Sequence, residues 1–260
     1  MYQSDLSGKI CLITGASSGI GYESAIAFAK TKAKLILCAR REERLNELAS
    51  KLQKEYQADV FILVLDVSKS DDVLEKLKNL PKDWQEIDIL LNNAGMARTK
   101  DTLHEGNPAD WDEMIDTNIK GVLLVSRAII PGMVERQRGH VINVGSVSGE
   151  EVYPGGGVYC ATKHALRAIT KGFCMELLGK NIRVTSINPG AVETEFSLMR
   201  YRGDIEKAAA VYQGMTPLSP KDIAEAILYA ATCPAHVNIA EIKIMPTDQA
   251  SVGMTHRKRS

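Results

Sequence analysis

Neither sign of charge is in excess along the 260 residues: Lys plus Arg and Asp plus Glu both number 32, for a net charge of zero. A nucleic acid would find no broad basic face here, and a basic partner no acidic tail. The one local charge run, His256-Arg257-Lys258-Arg259, reads as a solvated tail. Cysteine is sparse and follows no pairing pattern. Cys11, Cys38, Cys160, Cys174 and Cys233 are odd in number and lack a C-x-x-C spacing, so neither a disulfide framework nor a zinc site is expected. Cys11 and Cys38 fall in apolar runs, as small core residues do. No stretch approaches the roughly 18 consecutive apolar residues of a membrane span, and residues 1–9 are polar, without the apolar centre of a signal peptide. Linkers, repeats and low-complexity segments are missing as well. One domain over residues 1–260 is expected, in a reducing, cytoplasmic setting without membrane or nucleic-acid partners.

What is present is an ordinary globular balance, with 45% hydrophobic and 25% charged residues. Seven β-rich runs, at 9–13, 34–38, 60–65, 87–91, 140–144, 183–188 and 241–245, alternate with helical patterns. Most of these runs are almost continuously apolar, as parallel strands covered on both faces are. Between them, 22–30 carries Ala25, Ile26 and Ala29 on one stripe, and 42–56 carries Leu45, Leu48 and Leu52 at steps of three and four. Pro108, with acidic residues behind it, opens a helix that runs to about Asn118 and on, and 159–178 is another long one. Repeated strand–helix alternation predicts right-handed crossovers and an α/β, Rossmann-type, doubly wound parallel sheet of seven strands. Residues 191–218, after the sixth strand, lack strand signals apart from a short helix at 204–213; a substrate lid is expected there.

The first strand leads into Thr14-Gly15-Ala16-Ser17-Ser18-Gly19-Ile20-Gly21 and then a helix. Glycines permit the tight turn and let backbone N–H groups approach a pyrophosphate, which the positive end of the helix also attracts. The spacing is G-x-x-x-G-x-G, which differs from the G-x-G-x-x-G of most dinucleotide enzymes. About 20 residues on, an NAD enzyme needs an acidic residue for the ribose hydroxyl. Ala39-Arg40-Arg41 stands there instead, and two guanidinium groups suit a 2′-phosphate, so NADP is the expected cofactor. Asp66-Val67 ends the third strand, where the carboxylate either accepts from an adenine amino group or caps a helix. Asn92-Asn93-Ala94-Gly95 ends the fourth in a loop of small residues and amides.

Tyr159 and Lys163 stand four apart, on one helical face. A phenol with a pKa near 10 is a poor base, and a neighbouring ammonium would bring it down. Ser146 and Ser148 follow the fifth strand, at the edge where such sheets bind ligands.

Taken in order, these motifs resemble the short-chain dehydrogenase/reductase family over essentially the whole chain, with Asn118, Pro189-Gly190, Val192 and Thr194 also at matching places. The resemblance implies that Ser146 hydrogen-bonds the substrate oxygen and that Tyr159 is the general acid/base. It gives Lys163 the nicotinamide ribose, and Asn118 a water-linked proton path. It implies cofactor contacts along Gly15, Ser17 to Gly21, Arg40, Arg41, Asp66, Val67, Asn93, Ala94, Gly95, Pro189, Gly190, Val192 and Thr194, and a homo-oligomer, a tetramer above all. Small residues on the Tyr159 helix (Ala161, Ala165, Ala168, Gly172, Cys174) would permit close helix approach. A narrower likeness, at Pro131–Arg136, Thr194-Glu195-Phe196-Ser197, Arg200-Tyr201-Arg202-Gly203 and Met245–Ala250, is to the NADP-dependent 3-hydroxy acid dehydrogenases. A substrate of that branch carries a carboxylate, for which Arg200 and Arg202 are candidate partners. Two other readings of the same residues are a broad NADPH-dependent carbonyl reductase and a non-catalytic NADP-binding scaffold.

Overall fold

In the computed structural model, which describes residues 5–258, seven parallel strands form a single sheet. They are β1 (Ile10–Thr14), β2 (Lys34–Ala39), β3 (Val60–Val64), β4 (Ile87–Asn92), β5 (Gly139–Val144), β6 (Ile182–Pro189) and β7 (Glu241–Ile244). All seven predicted strands are present, shifted by a residue or two at their ends. Their order is β3-β2-β1-β4-β5-β6-β7, so the direction of winding reverses between β1 and β4. A crevice opens at such a reversal, beyond the carboxyl ends of the strands.

The apolar continuity of the strands has its expected cause. β1, for example, buries all five residues: Cys11 and Ile13 face one core, Ile10 and Leu12 the other. The first core is closed by α1 (Gly19–Ala29), α2 (Glu42–Tyr56) and the C-terminal helix Pro220–Thr232. The second is closed by α3 (Ser70–Lys78) and the helical run Pro108–Glu135. That run is 28 residues long and apolar enough, by length and composition, to cross a membrane, which the sequence reading did not anticipate. Here Val125, Ile129 and Met133 lie in the core beneath β4 and β5, as in a core helix of a globular domain. It is not uniform. α4 (Pro108–Ile115) passes through a π-helical turn, Asp116–Gly121, into α5 (Val122–Glu135). Such turns recur at functional sites because the extra residue re-aims side chains.

The sixth helix, α6 (Gly157–Glu176), carries Tyr159 and Lys163 on its buried face. Beneath the crevice, side chains join strands and helices. Asn92 donates to Asn143 Oδ1 at 2.9 Å and to Ser126 Oγ at 3.1 Å, and Asn143 donates to Thr170 Oγ1 of α6 at 2.9 Å. A fully satisfied buried network of this kind fixes the register of β4, β5 and α6.

His140 of β5 offers a test of the core. Thr185 Oγ1 donates to the Ile239 carbonyl, so the His140 ring donates through Nε2 to Thr185 Oγ1 at 2.8 Å. Its Nδ1 is then a bare acceptor with no partner. Burial first, and the Arg183 charge second, hold the imidazole well below its usual 6.5. The unfolded chain therefore binds this proton more readily than the folded one. Stability is full above about pH 6.5 and falls on acidification by up to about 1.4 kcal/mol per pH unit. His140→Gln should remove that slope in chemical denaturation between pH 7 and 5; parallel curves for parent and variant would show the imidazole does not titrate on unfolding.

Candidate active site

The crevice above the β1/β4 reversal is a cleft of about 460 Å³. One end is walled by the turn between β1 and α1. Gly15 holds φ +68° there, and a side chain on it would strike Asn93 Nδ2 at 2.8 Å. Asn93 is what locks the turn: its Nδ2 donates to the Thr14 carbonyl at 2.9 Å, while Thr14 Oγ1 accepts from the Asn93 and Ala94 backbone at 3.0 Å each. α1 starts with no side chain capping its first N–H groups, and Ser17, Ser18, Gly19 and Ile20 line the cleft at that point. An anion held by those N–H groups completes such a helix end. Gly21 differs from the expectation. It does not line the cleft; a side chain there would meet the Gly15 carbonyl at 2.4 Å, so its smallness serves helix-to-turn packing.

At the far end of β2 the two arginines part company. Arg40 is open to solvent, with only a 3.8 Å ion pair to Asp66. Arg41 is engaged: Nε and Nη2 donate to Ser17 Oγ, Nη2 to Ser18 Oγ at 2.8 Å, and Nη1 to Glu195 at 2.9 Å. Asp66 accepts from the backbone and hydroxyl of Ser68, shaping the turn ahead of α3, and lines the cleft with Val67. The N-cap position of α3 is Lys69, whose side chain makes no capping bond, so Asp66 is a turn residue and not the cap.

Asn93, Ala94, Gly95, Pro189, Gly190, Val192 and Thr194 border the middle of the cleft, and Ser146, Tyr159 and Lys163 its inner end. The π-turn directs Asn118 inward, where it is buried. It accepts from the Met96 backbone at 2.8 Å and donates to the Met96 carbonyl and to Thr162 Oγ1. Ser146, extended at the end of β5, accepts from Ser148 N–H at 3.1 Å. Lys163 Nζ donates to the Val144 carbonyl at 2.9 Å and lies 5.9 Å from the Tyr159 ring centroid.

Burial lowers Lys163 to about 8 and raises Tyr159 above 10. The charge that opposes this at Tyr159 is the Arg200 guanidinium, and the Ser146 hydroxyl acts in the same direction. Lys163, itself desolvated, is turned to the Val144 carbonyl.

Arg200 comes from the 191–218 excursion, whose two ends are pinned to each other: Leu218 N–H donates to the Ala191 carbonyl and Glu193 N–H to that of Leu218. Within it lie α7 (Glu195–Arg200) and α8 (Ile205–Ala210); the latter starts one residue into the predicted 204–213 because Asp204 caps it, and ends three residues earlier. Arg200 is only 8% exposed. Its guanidinium lies 5.1 Å from the centroids of both Tyr159 and Phe196, and it donates to Tyr153 Oη at 3.1 Å. Arg202, the other candidate for a substrate carboxylate, is turned away to Asp110 of α4 and does not line the cleft. The described part of the basic tail, His256 to Lys258, is exposed, as its reading as solvated expects, but it is not without contacts. Arg257 donates to the carbonyls of Val211 and Gln213 and borders the cleft; Arg259 lies outside the described residues.

Residues 9–202 match the family model for short chain dehydrogenases. The chain is similar to the NADP-dependent 3-hydroxy acid dehydrogenase of Schizosaccharomyces pombe, at 43% identity over 99% of this chain and 100% of that one. It is also similar to sulfoacetaldehyde reductase 2 of Chromohalobacter salexigens, at 43% identity over 93% and 95% of the two chains. Among solved structures, the closed form of a serine dehydrogenase complexed with NADP+ superposes with a TM-score of 0.89 at 42% identity, covering 96% of this chain and all of that one.

Proposed function

The chain belongs to the short chain dehydrogenase family, and from that premise we propose that it is an NADP-dependent oxidoreductase that converts 3-hydroxy acids, such as serine or allo-threonine, to the corresponding carbonyl compounds. One observation carries the choice of an acid over a neutral alcohol. Arg200 is a buried guanidinium with no carboxylate partner among the described residues, set against the phenol of Tyr159. Burying an unpaired cation costs several kcal/mol, which two aromatic faces offset only in part. An anion beside the reacting carbon completes the arrangement.

The donor set fits a phosphorylated dinucleotide. Gly15, Ser17, Ser18, Gly19 and Ile20 would hold the pyrophosphate, Arg40 the 2′-phosphate, and Asp66 and Val67 the adenine. Asn93 to Gly95, Lys163, Pro189, Gly190, Val192 and Thr194 would hold the nicotinamide half. NADP, when bound, supplies the hydride acceptor. The protein's own part is acid–base work: Ser146 Oγ fixes the substrate oxygen, and Tyr159 Oη takes the hydroxyl proton in oxidation and returns it in reduction. Lys163 would hold the nicotinamide ribose, and Asn118 would order a water-linked path that carries the proton by way of that Lys to solvent. Residues 191–218 act as the lid, and 1–260 as one catalytic domain. A homotetramer in the cytoplasm completes the reading, supported by the exposed apolar residues Leu123, Met175 and Leu178 on and after the long helices and by five free cysteines.

A second reading shares the observation. A reductase of sulfonated aldehydes would present a different anion to Arg200, whereas a reductase of neutral ketones would leave it unpaired. The test is NADPH formation, followed by absorbance, with short 3-hydroxy acids, and NADPH consumption with sulfoacetaldehyde and with uncharged ketones. Turnover confined to neutral ketones removes the proposal.

Arg40 carries the cofactor choice in this account, since the fork of Arg41 is taken. Arg40→Ala should weaken NADP by about 1.5 kcal/mol, the low end for a charged hydrogen bond because the side chain is exposed. NAD affinity should stay as it was. An equal loss for both cofactors in a fluorescence titration would assign Arg40 a merely structural part.

A further inference from the structure

Helix α7 is committed at both ends, and its ends meet opposite parts of the cleft. Arg200 closes the helix over Tyr159. Glu195 opens it 154 residues away in sequence from the arginine it holds: Oε2 accepts from Arg41 Nη1 at 2.9 Å, and Oε1 from Arg44 Nη1 at 2.5 Å. Arg41 directs its remaining contacts to Ser17 and Ser18 of the phosphate turn. Burial alone would raise the Glu195 carboxyl, yet the hydrogen bonds from Arg44 and Arg41 bring it below the usual value, so it is charged at neutral pH. A carboxylate here opposes a 2′-phosphate arriving nearby, so phosphate recognition gives no reason for it. Another role does.

We propose that Glu195 is a positioning residue for substrate recognition: through Arg41 and Arg44 it fixes α7 to the phosphate turn and thereby sets Arg200 over Tyr159. A helix of six residues is too short to persist on its own hydrogen bonds and takes its position from tertiary ties. Ser197 and Arg200 of α7 are buried; Ser197 Oγ shares a hydrogen bond with Tyr212 Oη at 2.8 Å, and Phe196 packs against the Tyr159 ring. At the C-terminal end, Arg98 Nη1 donates to the Met199 carbonyl at 3.0 Å. At the N-terminal end, Thr194 caps the helix from within the same segment, and among the described residues the side chain of Glu195, the first residue of α7, is tied to the rest of the fold by the two arginines. Because Arg200 is a long side chain on a short helix, a tilt of α7 moves its guanidinium off the phenol. The phosphate end of the cleft and the substrate end are thus joined by one small rigid element, and Glu195 is the joint. This inference rests on the reading of Arg200 as the substrate's anion partner.

Glu195→Gln keeps the shape and removes the charge, and Glu195→Asp serves as the conservative control. With NADP saturating, amides of residues 196–201 should exchange about tenfold faster in the Gln variant, as expected for loss of two half-exposed ion pairs that act together, and less so in the Asp variant. KM for a 3-hydroxy acid should rise about tenfold while kcat stays within about threefold and KM for an uncharged alcohol within about twofold. NADP affinity, measured by titration, should change by less than about threefold. Unchanged exchange in α7 overturns the proposal, and so does an equal rise in KM for charged and uncharged substrates. If the parent protein oxidises no 3-hydroxy acid, the reading of Arg200 fails, and the exchange measurement alone then decides whether Glu195 holds the helix.

Discussion

A Tyr159→Phe protein should bind NADPH as the parent does and turn substrate over about 10²–10⁴-fold more slowly, the range lost when a positioned general acid/base is removed. The ring stays, so its packing against Phe196 and under Arg200 stays with it; only the oxygen goes. Lys163 cannot take over, because its Nζ is turned to the Val144 carbonyl. The direction of the pH dependence follows from burial. Since burial lifts Tyr159 above its ordinary value, against the pull of Arg200 and Ser146, the phenol is the form present at neutral pH. Reduction, which needs a proton donor, should run at neutrality and fade in alkali. Oxidation, which needs the phenolate, should climb as the pH rises. A Phe variant within tenfold of the parent, in both directions, would take Tyr159 out of the chemistry.

Arg200→Met should cost about 2–4 kcal/mol in kcat/KM for a 3-hydroxy acid, the penalty for leaving one member of a buried charge pair without its partner. Met keeps much of the side chain's volume against Phe196 and Tyr159, so the cleft does not collapse. An uncharged alcohol should lose less, and for a second reason: with the guanidinium gone, the Tyr159 phenolate is less favoured, so oxidation at neutral pH slows. That part of the loss should return as the pH is raised, whereas the loss specific to the acid should not. Equal losses for both substrates at every pH would mean that Arg200 only supports the lid.

The sheet was legible because of how it is covered. β1, β2 and β4 are buried on both faces, so their apolar runs are continuous and each strand could be placed within a residue or two. Helix α3 was not read, since its nine residues bury only Val73 and Leu77. Helix Pro220–Thr232 was not read either, although Ser219 at its cap and Asp222 three residues on form a capping box around Pro220. In the site, Tyr159, Lys163, Ser146 and Asn118 came from spacing and family likeness. The π-turn that aims Asn118 inward leaves no mark in a sequence whose helical pattern simply continues. Arg200, Arg202 and Arg41 show the limit most clearly. All three look alike in sequence, as arginines beside a loop, but the first is buried over the phenol, the second tied to Asp110 and the third to Glu195 and two serines. Those partners lie 23 to 154 residues away. Only the folded chain brings them together.

The central claim is that this cleft is built for a substrate with an anion beside its reacting carbon. The most direct test needs no variant: kcat/KM for one 3-hydroxy acid and for its methyl ester, on the unaltered protein with NADP. The ester keeps the hydroxyl, the carbon skeleton and the hydride chemistry, and removes only the charge that Arg200 would meet. The acid should exceed the ester by about two orders of magnitude, as expected for a buried guanidinium left unpaired. An ester turned over as well as the acid, or better, would contradict the account.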